Sequence, residues 1–148
     1  SIEDIDVRDV IESACDDIAY IDTKHITFEY SLQPTIIQAN MNLIYIVINN
    51  LLSNAVKYSN EGAKIYVSCG EKDGKSYIRI QDEGCGIEKE NISKIFESFY
   101  REKKDHNAEG FGLGLSQAMK IAELYGGGIY VESTKNKGSI FTFFIPKP

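Results

Sequence analysis

The sequence is short of cationic residues and has no long apolar run. Lys and Arg total 16 against 22 Asp and Glu, which gives a formal net charge of −6. Nucleic acids and anionic membranes both need a basic patch, so this balance argues against either partner. No segment approaches the roughly 18 apolar residues of a membrane span, and no signal peptide opens the chain. The sequence predicts a soluble piece of protein.

Cysteine is also scarce. Cys15, Cys69 and Cys85 are odd in number and widely spaced, form no CxxC motif and have no His at metal-binding spacing. They predict three reduced thiols in a cytosolic protein. The remaining composition, with 43% hydrophobic and 26% charged residues among 148, is that of one globular domain covering residues 1–148.

Hydrophobic periodicity predicts a layer of helices and a layer of strands. Apolar residues recur every three or four positions in segments 5–22, 42–58, 88–100 and 113–127, which predicts helices, and segment 101–112 predicts a loop. Alternation predicts strands at 26–32, 64–70, 76–82, 128–134 and 139–146. Turns at 72–75 and 135–138 join four of these strands into two hairpins. The pattern predicts an α+β fold with helices on one face of a mixed, mostly antiparallel sheet.

The second predicted helix carries polar residues on an otherwise apolar pattern. Asn50 and Asn54 are one turn apart, so their amides share a face, which Lys57 and Tyr58 extend. Amide oxygens can complete the coordination of Mg²⁺ that phosphate oxygens also hold. Lys57 offers a compact charge to a phosphate, and Tyr58 a flat surface with a polar tip. Two asparagines at the solvent edge of a core helix would give the same pattern.

Two glycine-containing segments follow. In "DEGCGI", Asp82 ends a predicted strand, where its carboxylate can accept a hydrogen bond from the exocyclic amine of adenine. Gly84 and Gly86 would let the backbone approach the ring, and Ile87 offers an apolar lid. In "EGFGLGLSQ", glycines precede a helix, where free backbone N–H groups favour an anion. A simple glycine turn is the alternative for either segment alone.

In order and spacing, five segments together resemble the sensor histidine kinase catalytic domain of the GHKL ATP-binding superfamily. These segments are "NNLLSNAVKYS", "DEGCGI", "IFESFYR", "GFGLGLS" and "GSIFTF". The resemblance extends from about Ile5 to Pro146. It implies the two-layer GHKL fold, with ATP and Mg²⁺ as ligands.

The resemblance also implies a role for individual residues. Asn54 would bind Mg²⁺. The residues facing the phosphates, and so the catalytic ones, would be Asn50, Lys57 and Arg101. Tyr58 would flank the adenine, Asp82 would read it, and Ser139 would supply a small hydroxyl. The rest of the nucleotide site would be Gly84, Gly86 and Ile87 around the base, and Gly110, Phe111, Gly112, Leu113, Gly114 and Leu115 around the phosphates. Residues 101–111 correspond to the ATP lid.

Three positions depart from the usual family pattern. Ser98 stands where a basic residue is frequent, Glu88 where proline commonly follows Ile87, and Ile140 in a slot that is frequently polar. None of them is one of the central Asn, Asp or Gly positions.

Kinases of this family transfer phosphate to a His on a separate dimerisation domain. His25 and His106 both lack the sequence context of that acceptor. The resemblance therefore implies a catalytic fragment of a longer sensor kinase whose partners are a His-containing dimerisation domain and a response regulator. The fragment is expected to be a monomer and the full-length protein a homodimer. The domain would be cytoplasmic and the full-length protein anchored in the bacterial inner membrane.

The sequence bears on three alternatives to the kinase. A hydrolysing ATPase of the superfamily carries a Glu one turn before the Mg²⁺-binding Asn, and here that position is Asn50, whose amide is no general base at neutral pH. A binding-only module with a degenerate pocket is disfavoured because Asn54, Asp82 and the glycines are retained. An anti-sigma-factor serine kinase is a closer relative and stays open.

Overall fold

The computed structural model describes residues 1–97 and 114–148. Along these residues a 3₁₀ helix spans Lys89–Lys94, and the other elements follow one another in the order β1 (Glu3–Asp6), α1 (Val7–Ile21), β2 (Thr27–Leu32), β3 (Ile36–Ala39), α2 (Met41–Tyr58), β4 (Lys64–Lys72), β5 (Lys75–Asp82), α3 (Gly114–Leu124), β6 (Gly128–Thr134) and β7 (Gly138–Pro146).

The main sheet has five strands in the order β2-β4-β5-β7-β6. β2 runs parallel to β4, and the other three pairs are antiparallel. Both predicted hairpins are present. The β4–β5 turn has Asp73 and Gly74 at φ values of 53° and 76°, the positive angles that a two-residue type I′ turn needs. The predicted mixed, mostly antiparallel sheet is confirmed.

The core lies between one face of this sheet and the three helices. Ile78 and Ile80 of β5 pair with Phe143 and Phe141 of β7, and all four side chains are buried. α2 lies between α1 and α3 and also contacts β5. Its apolar stripe is fully buried at Ile44, Val47, Ile48, Leu51, Leu52 and Ala55. Burial of this stripe fixes the direction in which the polar face of α2 points.

The first helix begins later than predicted. Residues Glu3–Asp6 form β1, which pairs antiparallel with β3, and neither short strand was predicted. Ile5 is only 2% exposed and lies opposite Ile37 in this two-stranded sheet. Because Ile5 is apolar and continues the spacing of the α1 stripe, the sequence assigned it to the helix. α1 starts at Val7, where the Asp6 carboxylate accepts from the backbone N–H of Arg8 at 3.1 Å. This is an N-cap contact.

The predicted helix over 88–100 is wrong for the residues that the structure describes. Only a 3₁₀ segment forms, with i to i+3 backbone bonds from Asn91 to Glu88 and from Glu97 to Lys94. The apolar side chains there fix a loop against the core instead. Ile95 is buried, and the ring centroid of Phe96 lies 6.4 Å from that of Phe141 in an edge-to-face contact. Residues 98–100 lie outside the described residues.

Helix α3 ends as its glycines predict. The N–H of Gly127 donates to Ala122 O at 2.9 Å and that of Gly126 to Glu123 O at 3.0 Å, with Gly126 at φ 80°. These two bonds define a Schellman motif. In the part of the chain described, no helix is long and apolar enough to cross a bilayer.

Candidate functional site

The polar face of α2 meets the start of α3 at Asn50. Its side-chain Nδ2 donates to the backbone oxygen of Gly114 at 3.1 Å and to Gln117 Oε1 at 3.3 Å. Asn54, one turn further on, is half-buried on the same face. The structure therefore brings the segments "NNLLSNAVKYS" and "GFGLGLS" together through the Asn50 amide.

Lys57 and Tyr58 complete the last turn of α2. The Lys57 ammonium lies 5.3 Å from the centroid of the Tyr58 ring, within range of a cation–π contact. Lys57 is exposed and Tyr58 half-buried. This end of the helix thus carries a positive charge beside an aromatic face.

A lysine from the α1–β2 loop holds that end of α2 in place. Lys24 Nζ donates to the backbone oxygens of Val56, Lys57 and Ser59 at 2.9, 2.8 and 3.0 Å. Val56 O also accepts from the Ser59 N–H at 3.2 Å, and Ser59 directly follows α2. A helix end leaves carbonyls short of intrahelical partners, and a cation there also complements the helix dipole. Lys24 was not predicted, because nothing in its local sequence pattern points to a helix end more than 30 residues away.

Asp82 ends β5 with its carboxylate inside the protein. The residue is 5% exposed, and its Oδ1 accepts from the backbone N–H of Gly84 at 2.9 Å. Burial raises the pKa of Asp82, while backbone N–H donation from Gly84 and Ser139 lowers it in part. In its ionised form, a desolvated carboxylate of this kind is a strong acceptor for a donor that enters from a ligand.

The glycines beside Asp82 allow backbone segments to touch. A Cβ on Gly84 would lie 2.2 Å from Tyr58 O, so the loop after β5 lies directly against the end of α2. Gly86, at φ 69°, would place a Cβ 2.1 Å from Thr134 O. Side chains at either position would force α2, this loop and the β6–β7 hairpin apart. The glycines thus bring Asp82, Tyr58 and Ser139 to one end of the sheet.

A row of polar residues crosses three strands at this end. Asp82 of β5 pairs with Ser139 of β7, which pairs with Ser133 of β6. Ser133 Oγ lies 2.8 Å from Ile87 N, 3.0 Å from Gly138 O and 2.8 Å from Ser139 Oγ. The sequence pattern pointed to Ser139 but not to Ser133, because a turn at 135–138 would place Thr134 opposite Ser139. In the structure Thr134 pairs with Gly138, and this register brings Ser133 opposite Ser139.

The other predicted site residues divide into two groups. Ile87 and Leu115 are half-buried and pack against the core. Outside the described residues lie Arg101, Gly110, Phe111, Gly112 and Leu113. The roles of all predicted residues toward a nucleotide stay predictions.

The donor set limits how a metal could be held. Among the described residues no group of three or more His, Cys, Asp or Glu side chains could enclose a metal ion. The three cysteines are unpaired, with Cys15 and Cys69 buried. A neutral amide oxygen such as that of Asn54 can share a hard cation with ligand oxygens.

Residues 39–148 match the family model described as histidine kinase-, DNA gyrase B- and HSP90-like ATPase. The chain belongs to this family, and ATP is the nucleotide that such a family uses. The predicted resemblance is confirmed.

Individual relatives agree with this assignment. The chain is 37% identical over 114 residues to the sensor histidine kinase WalK of Bacillus subtilis (strain 168), covering 74% of this chain and 19% of WalK. It is 43% identical over 114 residues to the adaptive-response sensory kinase SasA of Rippkaea orientalis, covering 76% of this chain and 29% of SasA. The match thus spans between about a fifth and three tenths of these relatives' own length.

Solved structures confirm the fold over nearly the whole chain. The mycobacterial sensor histidine kinase MprB superposes with a TM-score of 0.89 at 25% identity, covering 100% of this chain and 99% of MprB. The nucleotide-free catalytic domain of histidine kinase ThkA gives a TM-score of 0.86 at 28% identity, covering 99% of this chain and 98% of that chain.

Proposed function

We propose that residues 1–148 form the ATP-binding catalytic domain of a two-component sensor histidine kinase. In this reaction the bond between the γ-phosphorus and the β–γ bridging oxygen breaks, a phosphorus–nitrogen bond to the acceptor imidazole forms, and ADP leaves. The observation that carries the proposal is the desolvated Asp82 carboxylate beside the end of α2. Gly84 and Gly86 hold it there, because a Cβ at either position would clash with neighbouring backbone.

The described residues divide the work of binding. Asp82 accepts from the adenine amine, Tyr58 flanks the ring, Ile87 covers it, and Ser139 contributes its hydroxyl. On α2, Asn50 and Lys57 face the phosphates, and Asn54 binds Mg²⁺. The fit of Mg²⁺ rests on the donor set, since an amide oxygen suits a hard cation held mainly by phosphate oxygens. When bound, Mg²⁺ neutralises charge on the phosphates.

The remaining predicted residues complete the proposal. Arg101, with the segment from Gly110 to Leu115, surrounds the phosphates, and residues 101–111 act as the ATP lid. Gly84 and Gly86 shape the base pocket. The support for these roles is the order of the five sequence segments and the family membership of the chain.

The partners belong to the longer protein. We infer an acceptor His on a dimerisation domain, a response regulator downstream, a homodimeric full-length kinase and a monomeric catalytic domain. We also place the domain in the bacterial cytoplasm, tethered through the full-length protein to the inner membrane. The support is that the matched relatives are named sensor kinases and are several times longer than the match.

Calorimetric titration of this chain with Mg²⁺-ATP and Mg²⁺-ADP tests the proposal. We expect a dissociation constant in the micromolar to submillimolar range, about 5 to 8 kcal/mol of binding free energy. Omitting Mg²⁺ should weaken binding. Absence of both heat and thermal shift at millimolar Mg²⁺-nucleotide would contradict the proposal.

A second measurement addresses the transfer step. Full-length kinase containing this domain should label itself from γ-labelled ATP on His, giving a phosphoramidate that acid hydrolyses and base does not. Acid-stable labelling on Ser would favour the serine kinase alternative.

A further inference from the structure

The Ser133 hydroxyl lies where three backbone segments and a second hydroxyl converge. Its Oγ is 2.8 Å from the N–H of Ile87, in the loop after β5, and 3.0 Å from Gly138 O at the start of β7. It is also 2.8 Å from Ser139 Oγ. The sequence singled out Ile87 and Ser139 for the site, but not Ser133, which hydrogen-bonds to both.

The number of available hydrogens decides the direction of these bonds. A serine hydroxyl has one proton to donate and two lone pairs to accept with. The amide of Ile87 can only donate and the carbonyl of Gly138 can only accept. All three contacts are satisfied together when Ser133 accepts from Ile87, donates to Gly138 O and accepts from Ser139. In this arrangement the only hydroxyl proton of Ser139 is committed to Ser133.

The consequence concerns what Ser139 can offer a ligand. With its proton committed, Ser139 Oγ retains only lone pairs. Ser139 is the cross-strand neighbour of Asp82, whose carboxylate is likewise an acceptor. The two residues together present acceptors and no donor, which suits an amine with two hydrogens and disfavours a carbonyl oxygen.

We infer that Ser133 is a positioning residue that sets the preference of this site for a 6-amino over a 6-oxo purine. It acts through Ser139, by holding the hydroxyl proton away from the base, and through Ile87, by fixing the backbone of the loop that would cover the base. Ser133 itself touches no ligand. This inference rests on the proposed function and adds the origin of base selectivity to it.

Competition titrations with ADP and inosine diphosphate test the inference, because these nucleotides differ at the 6 position. Wild type should prefer ADP. In Ser133→Ala the Ser139 hydroxyl can rotate and donate to a 6-oxo group. ADP should therefore bind about three- to tenfold more weakly, as for one lost hydrogen bond, while inosine diphosphate binds as well as before or better. Ser76→Ala is the matched control, since Ser76 Oγ is buried in β5 without a hydrogen-bond partner among the described residues.

A merely structural role gives a different result. If Ser133→Ala loosens the fold, both nucleotides lose affinity by the same factor, and this outcome would overturn the inference. An unchanged ADP preference would also overturn it. Wild type that binds neither nucleotide would instead contradict the proposed function itself.

Two further variants keep the test decisive if Ser133→Ala does not fold. Ser133→Thr retains the hydroxyl on a strand residue and should keep the ADP preference. Ser139→Ala removes the acceptor with Ser133 intact and should lower the preference. The amide of Ile87, followed by NMR, should stay protected from exchange in Ser139→Ala. Wild-type selectivity in Ser139→Ala would overturn the inference.

Discussion

Asp82 carries a carboxylate into a nearly water-free position at the end of β5, with 5% of the residue exposed. Burial raises its pKa, so the folded protein holds a proton there more tightly than the unfolded chain does. The stability that this group contributes is fully present below its unfolded pKa of about 3.9 and is lost as the pH rises through the folded pKa. Above the folded pKa of Asp82, the ionised acid costs stability and is available to a ligand.

Replacing Asp82 with Asn should separate binding from folding. The lost charge-assisted acceptor should weaken ADP by about 1.5 to 3 kcal/mol. The free energy of unfolding should stay within about 1 kcal/mol of wild type, since the variant no longer desolvates a charge. Calorimetry and urea denaturation measure the two quantities. Asp73→Asn in the exposed β4–β5 turn makes the same chemical change away from the site and should alter neither. ADP binding at wild-type strength by Asp82→Asn would remove Asp82 as the base reader.

Affinity and stability should respond to pH in opposite directions through this one group. As the pH falls through the raised pKa of Asp82, protonation removes the negative acceptor and ADP affinity should drop. The stability contribution of Asp82 should increase over the same interval, by the sign established above. The difference between wild type and Asp82→Asn isolates this residue from the other acids. A wild-type affinity that follows the Asp82→Asn curve across this interval would be inconsistent with the assignment.

At the scale of elements, the position of α2 depends on contacts at both of its ends. The Asn40 side chain accepts from Leu43 N at 3.2 Å at the start, and Lys24 donates to three carbonyls at the finish. The α1–β2 loop is held in turn by Asp22, which accepts from the N–H groups of Lys24 and Ile26 at 2.9 and 2.8 Å. The helix end that carries Lys57 and Tyr58 is therefore fixed from outside the helix.

Lys24→Met should release this end of α2 while keeping the length of the side chain. Three charge-assisted donors to helix carbonyls would be lost, so the free energy of unfolding should fall by about 1 to 3 kcal/mol. ADP should also bind more weakly, because Tyr58 O lies against the loop that follows Asp82. Denaturant titration and calorimetry are the measurements. Lys64→Met is the control, since Lys64 makes only an exposed ion pair with Glu29 at 3.6 Å and should change stability little. Equal effects of the two substitutions would contradict the role of Lys24 in holding the end of α2.

Local chemistry explains which elements the sequence predicted. The Asp73-Gly74 turn and the alternation around it specify β4–β5 without reference to the rest of the fold, and the Gly126-Gly127 pair specifies the end of α3. β1 and β3 were missed because each has four residues and their pairing joins segments 30 residues apart. Asn50 was visible as a polar residue in an apolar helix pattern, and Asp82 as a carboxylate at a strand end before Gly84 and Gly86. Ser133 and Lys24 were not, because their roles arise from contacts across strands and helices.

At the scale of the whole molecule, two layers converge on one site. Under the proposed function, α2 would contribute the phosphate side and the ends of β5, β6 and β7 the base side, so a nucleotide would bridge the helical layer and the sheet. A ligand that binds only the folded state stabilises it by mass action, about 2.7 kcal/mol at a concentration 100 times the dissociation constant. Nucleotide binding at this position would therefore raise the free energy of unfolding of the whole domain.

The residue at position 50 distinguishes a phosphotransfer domain from a hydrolysing ATPase. The family resemblance implies that Asn50 stands where hydrolysing relatives carry a water-activating Glu. The Asn50 amide donates to Gly114 O and Gln117 Oε1. Wild type should therefore bind ATP and release negligible phosphate. Asn50→Glu adds a potential base, worth about 10² to 10⁴ in rate when well placed. The carboxylate would face two acceptor oxygens and lose both contacts, so we expect at most a modest gain and weaker packing of α3. Asn50→Gln, which keeps the amide, is the control and should show no gain. Steady phosphate release by wild type, measured free of contaminating ATPase, would favour the hydrolase over the kinase.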